Sequence, residues 1–194
     1  MRSRFVWLVA AKSVIVPMFG AARAEATTAP PSTTALSRGE IVVDDAGGHV
    51  FVTATDTVAV FDLAGNRVGT IVDQFGARDL LLRGRTLYVL AANVNRINTV
   101  DADTWSVTGG WNMPGVPDGF QMAWAAGALW VTYGTGMAKL DPATGAVTLH
   151  VGGGGWIDVE GTTNPPRLYM AETGVSAWDI SSGLPVMIAH RLVT

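Results

Sequence analysis

The sequence predicts an all-β fold, a β-propeller of four consecutive four-stranded antiparallel blades, and three observations predict it. An aromatic followed by an aliphatic residue returns at Phe51-Val52, Tyr88-Val89, Trp130-Val131 and Tyr169-Met170, at steps of 37, 42 and 39 residues. An aspartate closing a strand-like run returns at Asp62, Asp101, Asp141 and Asp179, at steps of 39, 40 and 38. No window after residue 38 carries the apolar period of an amphipathic helix. Two independent anchors on one period of roughly forty residues mark a tandem repeat of propeller-blade length.

Each unit divides into four short runs rich in β-branched and aromatic residues. The first (39–77) gives Glu40–Asp44, Val50–Ala54, Val58–Asp62 and Arg67–Ile71. The second (78–117) gives Asp79–Leu82, Thr86–Ala91, Ile97–Asp101 and Ser106–Trp111. The third (118–154) gives Phe120–Trp124, Ala128–Tyr133, Met137–Asp141 and Ala146–Val151. The fourth (155–194) gives Trp156–Val159, Arg167–Ala171, Val175–Asp179 and Pro185–His190. Turn residues separate the runs: Ala46-Gly47-Gly48, Arg83-Gly84, Ala126-Gly127 and Asn164-Pro165-Pro166 between first and second. After the aspartate anchor, Gly65, Gly145 and Gly183 supply a positive φ, and the second unit lacks the glycine.

A twisted four-stranded sheet with two apolar faces cannot bury both alone, and stacking blades around an axis buries both. Most tryptophans fall at strand positions, where inter-blade packing is their default role. Closure is the open point. No spare strand precedes the first unit to latch the fourth, so an incomplete, open propeller is favoured over a four-blade ring in which units one and four meet each other. Self-association, a second chain or further residues would complete it.

Ahead of the repeat, Arg2 and Arg4 open the chain, an apolar stretch broken by Lys12 follows, and Ala22-Arg23-Ala24 offers a cleavage pattern. Residues 1–24 are therefore read as a signal peptide, and the protein as secreted, periplasmic or cell-surface. Neither apolar piece reaches the roughly 18–20 residues that span a bilayer. Residues 25–38 are rich in Thr, Ala and Pro and read as a linker. Cleavage would leave nine basic residues against sixteen acidic ones, a poor surface for nucleic acid.

The chain has no cysteine, which excludes disulfides, thiolate-zinc sites and a thiol nucleophile. His49, His150 and His190 are not paired in sequence with a nucleophile and an acid, and no catalytic residue is assigned. Gly152-Gly153-Gly154-Gly155 is not followed by Lys and Ser or Thr and opens no helix, so it reads as an inter-blade connection. In a propeller the second-to-third-strand loops and the blade-to-blade connections share one face. That face would gather Asp73, Arg78, Asn93, Asn95, Arg96, Asp118, Trp156 and Glu172, the candidate binding residues, for a protein or carbohydrate ligand.

The run Ile41-Val42-Val43-Asp44, His49-Val50-Phe51-Val52-Thr53 and Val58-Ala59-Val60-Phe61-Asp62-Leu63-Ala64-Gly65 resembles the repeat of secreted bacterial propellers of the YVTN, NHL and surface-layer type. Leu129-Trp130-Val131-Thr132 and Lys139 to Gly145 repeat the pattern. The resemblance covers roughly 39–190 and implies export and a propeller fold more than any one activity. Asp141 to Gly145 also matches the middle of the quinoprotein dehydrogenase docking repeat, but Leu149 stands where that repeat has Trp. Gluconolactonase-like propellers hold an axial cation. Asp44, Asp45, Asp118, Asp158, Glu160 and Glu172 are hard oxygen donors of the kind Ca²⁺ takes, although no fixed spacing marks them and solvated turn carboxylates are the default. No cofactor or metal site is assigned. The expected function is that of an exported module that binds without catalysis. The alternatives are an exported propeller enzyme, lactonase-like or quinoprotein-like, and a structural fragment with no independent function.

Overall fold

The computed structural model describes residues 39–134, 136–152, 155–160, 165–171 and 174–192. The chain divides into two compact units, Met1–Ser32 and Thr33–Thr194, and every described residue lies in the second. The predicted signal peptide and linker lie outside the described residues.

Blade 1 comprises β1 (Ile41–Asp44), β2 (His49–Ala54), β3 (Thr57–Asp62) and β4 (Arg67–Ile71). Blade 2 comprises β5 (Ala77–Arg83), β6 (Thr86–Ala91), β7 (Arg96–Asp101) and β8 (Val107–Asn112). Blade 3 comprises β9 (Gln121–Ala125), β10 (Ala128–Tyr133), β11 (Gly136–Leu140) and β12 (Val147–Val151). Blade 4 comprises β13 (Trp156–Glu160), β14 (Arg167–Ala171), β15 (Gly174–Asp179) and β16 (Val186–Leu192). Each blade is a separate four-stranded meander in sequence order, antiparallel throughout. Among the described residues the sole helical turn is the 3-10 turn Ala92–Val94.

The aspartate anchor has one physical role in all four blades. Its side chain accepts a hydrogen bond from the N–H two residues on, Asp62 from Ala64 (2.9 Å), Asp101 from Asp103 (3.0 Å), Asp141 from Ala143 (2.9 Å) and Asp179 from Ser181 (2.8 Å). Each carboxyl is held below its ordinary value chiefly by a further turn donor, the Asn66 side chain on Asp62, the Thr104 N–H on Asp101, the Thr144 hydroxyl on Asp141 and Ser181 on Asp179, with the N–H two residues on adding to it. In blade 2 Trp105 occupies the place of Gly145, at φ 58°, and donates its N–H to the Asp101 carbonyl at 2.8 Å. The left-handed backbone is offset by packing. The Trp105 ring meets His49 edge-on at 5.2 Å and lies where a β-carbon on Gly69 would stand.

The core consists of three layers, one between each pair of neighbouring blades. Phe51, Val58 and Val60 of blade 1 meet Leu80, Leu87 and Val100 of blade 2. Leu90 and Ile97 of blade 2 meet Met122, Leu129 and Val131 of blade 3. Trp130 and Met137 of blade 3 meet Ile157, Leu168 and Met170 of blade 4. Burying a side chain of this size stabilises by about 1.5–3 kcal/mol, so each layer outweighs any single turn. Inner strands β1, β5, β9 and β13 lie side by side in that order.

Candidate functional site: a cleft at one end of the inner strands

Equivalent positions in the four inner strands can be aligned through the ladders. Ile41, Leu80, Met122 and Ile157 pair with Val52, Val89, Val131 and Met170 respectively. The residues immediately before them, Glu40, Asp79, Gln121 and Trp156, therefore form one column at the start of the inner strands. Two members tie blades together. Asp79 Oδ2 accepts a short hydrogen bond from the Met122 N–H of blade 3, and Gln121 Oε1 accepts one from the Ile157 N–H of blade 4 at 2.7 Å. Trp156 carries no acceptor and is 59% exposed.

This column forms part of the wall of a cleft of about 500 Å³ with residues from all four blades. Thr53 and Thr55 from blade 1, Arg78 and Asn93 from blade 2, and Phe120 from blade 3 complete the parts that matter here. The rings of Phe120 and Trp156 meet edge to face, centroids 5.0 Å apart. A second hollow of about 370 Å³ shares Glu40, Asp79, Gln121 and Trp156 with the first. Polar groups in the walls are fixed: Thr53 Oγ1 accepts from the Glu40 N–H at 2.8 Å, and the Gly76 N–H donates at 2.8 Å to Asp56, which stands outside the walls.

Asp79 is the electrostatically unusual member. Burial, and secondarily the negative charge of Glu40, push its carboxyl up to about 7 against the opposing hydrogen bond from Met122. Blade 2 thus presents a carboxyl that is half protonated near neutrality, beside a cleft and shielded from bulk water.

Of the eight loop-face residues singled out in the sequence, the cleft contains Arg78, Asn93 and Trp156. Arg96 is turned to structural use: its Nε donates to Asn98 Oδ1 at 2.7 Å and its Nη1 to Asn112 Oδ1 at 3.0 Å. Asn98 in turn donates to Gln74 at 2.9 Å, a buried polar link. Asn95 closes the 3-10 turn in the left-handed region at φ 47°. Asp73 and Asp118 are exposed turn residues with φ 59° and 49°, outside the cleft walls. Glu172 lies outside the described residues. Sequence reasoning missed Glu40, Asp79, Phe120 and Gln121. Glu40, Asp79 and Gln121 carried a signal, since a polar residue before the first inner-strand aliphatic recurs in three of four units; Phe120 carried none.

The carboxylates considered as an axial cation site do not converge among the described side chains. Asp44 is at the far end of β1, where Arg85 Nη1 donates to it at 2.8 Å, and among the described residues no group of three acidic or histidine side chains sits at metal-binding distance. That guanidinium, followed by the Gly47 N–H, holds the Asp44 carboxyl below its ordinary value against burial. Arg85 also grips Asp103 at 2.6 Å, so one side chain bolts blade 1 to a turn of blade 2. Asp158, Glu160 and Glu172 lie outside the described side chains. Tryptophan also divides unexpectedly: Trp130 is fully buried and Trp105, Trp111, Trp124 and Trp178 are partly buried, whereas Trp156 stands in the open.

No family model and no curated protein matches the chain. Solved structures do. Over 79% of its length it superposes on Kuenenia stuttgartiensis hydrazine synthase with a TM-score of 0.63 at 13% identity. Over the same share it superposes on the N-terminal domain of Nup159 with a TM-score of 0.54 at 10% identity. The fold is a β-propeller. At such identities the likeness extends to architecture alone. The chain spans less than half of each neighbour, 48% of the first and 44% of the second. Among the described residues no helix is long and apolar enough to cross a membrane.

Proposed function

We propose that the protein is an exported or cell-surface propeller module, of the YVTN, NHL and surface-layer kind, that binds a neutral carbohydrate in the inner-strand cleft. One observation carries this reading: all four blades contribute to a single cleft in which an exposed indole stands beside fixed hydroxyl, amide and carboxyl groups. An aromatic face offers a flat apolar platform for a sugar ring, and a small number of oriented polar groups supplies specificity. The expected export rests on the basic, apolar and small-residue order of residues 1–24. Titrating the protein with cellotriose, maltotriose and chitotriose while following tryptophan emission tests the binding. A saturable change lost in Trp156→Ala supports it, and no response to any of the three at millimolar concentration overturns it.

A second reading, an exported propeller enzyme, is favoured by Asp79, a carboxyl raised to about 7 in a cleft, a value suited to proton transfer. Its test is turnover of lactones and aryl glycosides. Activity lost in Asp79→Asn with saccharide binding retained would place the chain among catalysts.

A further inference from the structure

The carboxyls of the cleft come as a pair. Asp79 of blade 2 and Glu40, which precedes the inner strand of blade 1, line the same two hollows. Glu40 acts on Asp79 through its charge and not through a hydrogen bond, so the two share no proton. Among the described residues the ion pairs are those of Arg85 with Asp44 and Asp103, at the other end of blades 1 and 2, so neither cleft carboxyl is ion-paired. Their surroundings differ. Asp79 is buried and its Oδ2 accepts from the Met122 N–H, which leaves Oδ1 as the seat of the proton when the acid is neutral. Glu40 is half-buried and reached by solvent. Two carboxyls in unlike surroundings are how one site holds an acid and a base at the same pH. The other charged or titratable side chains of the hollows are Arg78, on the same strand as Asp79, and Tyr169 of β14. The remaining members of the column, Gln121 and Trp156, carry no charge, and neither does Asn93 of the 3-10 turn.

We propose that the cleft hydrolyses a glycosidic bond, with Asp79 as general acid and Glu40 as general base. This rests on the saccharide reading, because the exposed indole of Trp156 is what seats the sugar beside the pair. Cleaving an acetal takes an acid on the leaving oxygen and a base on the attacking water, and two carboxyls supply both. The Asp79 Oδ1 proton passes to the glycosidic oxygen as the bond from that oxygen to the anomeric carbon breaks, and the bonding pair leaves with the oxygen. A water oxygen bonds to the anomeric carbon and gives its proton to Glu40. Solvent then returns a proton to Asp79 and takes one from Glu40. One glycoside and one water become two sugars, and nothing is oxidised or reduced.

The test incubates the full chain at pH 6 with cellotriose, maltotriose and chitotriose, measures new reducing ends, and follows binding in parallel by tryptophan emission. At least one of the three is expected to bind and be cleaved. Asp79→Asn and Glu40→Gln are expected to keep the emission change and the far-UV spectrum and each to lower kcat on the order of 10²–10⁴-fold. The dinitrophenyl glycoside of the same sugar separates the two roles, because its leaving group departs without a proton. Asp79→Asn should recover most of its rate on that substrate, and Glu40→Gln should not. In the wild type, kcat on the trisaccharide should fall as pH rises through about 7, where Asp79 loses its proton. A trisaccharide that binds and stays intact overturns this inference and leaves the binding reading in place. Absence of binding by all three overturns both. Cleavage that survives either substitution, or a dinitrophenyl glycoside on which the two variants behave alike, overturns the assignment of acid and base.

Discussion

Replacing Asp79 by Asn keeps an oxygen that can accept from the Met122 N–H and removes the ionisable proton, so the variant isolates the energetics of the buried carboxyl. In the folded protein the group titrates at about 7, against an ordinary value of 3.8. An acid raised on folding is protonated in the native state and ionised in the unfolded one between those values. The native state therefore binds more protons there, and stability falls as pH rises from about 4 to about 7. Three pH units correspond to about 4 kcal/mol, and burial at 4% exposure leaves little solvent to screen the effect. Asp79→Asn should match the wild type near pH 4 and exceed it at pH 8 by on the order of 4 kcal/mol. For a domain of this size that is a rise of roughly 10 °C in Tm. The assay is urea unfolding of both proteins from pH 4 to pH 9. The difference between the curves cancels the turn aspartates, whose depressed values act in the opposite direction. A difference independent of pH, or one that grows towards acid, refutes the argument. Glu40→Gln gives an internal check, because removing its charge lowers the Asp79 midpoint.

Further outcomes follow from the packing. Trp130→Ala should cost about 3–5 kcal/mol in urea unfolding, since a fully buried indole between blades 3 and 4 leaves a cavity there. Gly69→Ala sets a β-carbon against the Trp105 ring and should cost about 1–3 kcal/mol by the same assay, an effect relieved in Gly69→Ala with Trp105→Ala. Arg85→Ala leaves the buried Asp44 carboxylate without its cation and should lower Tm at pH 7. Asp44 is depressed on folding, so its contribution is present above its unfolded value and lost as pH falls through the folded one. Wild type and variant should therefore converge in acid.

Local chemistry made the strands legible. All sixteen described strands begin and end within two residues of the runs read from sequence, because aspartate-and-glycine turns fix their ends. The loop-face site was only partly legible. Arg78, Asn93 and Trp156 border the cleft because strand direction alone places them at that end. The hydrogen bonds of Arg96 were not legible, because its partners, Asn98 and Asn112, are ordinary strand residues until the ladder sets them side by side. Asp79 reads as a solvated strand terminus. Its neighbours Met122 and Glu40 are about forty residues away in either direction, and only the register of three sheets brings them together. Arg85 shows the same limit, bonded to an aspartate 41 residues earlier.

The inter-blade clasps at Asp79 and Gln121 share a direction: the acceptor belongs to the earlier blade and the donor to the later one. A chain that emerges from its N-terminus first thus completes each waiting receptor before the segment that will engage it has been made. Assembly then runs with the order of synthesis, every finished sheet templating its successor.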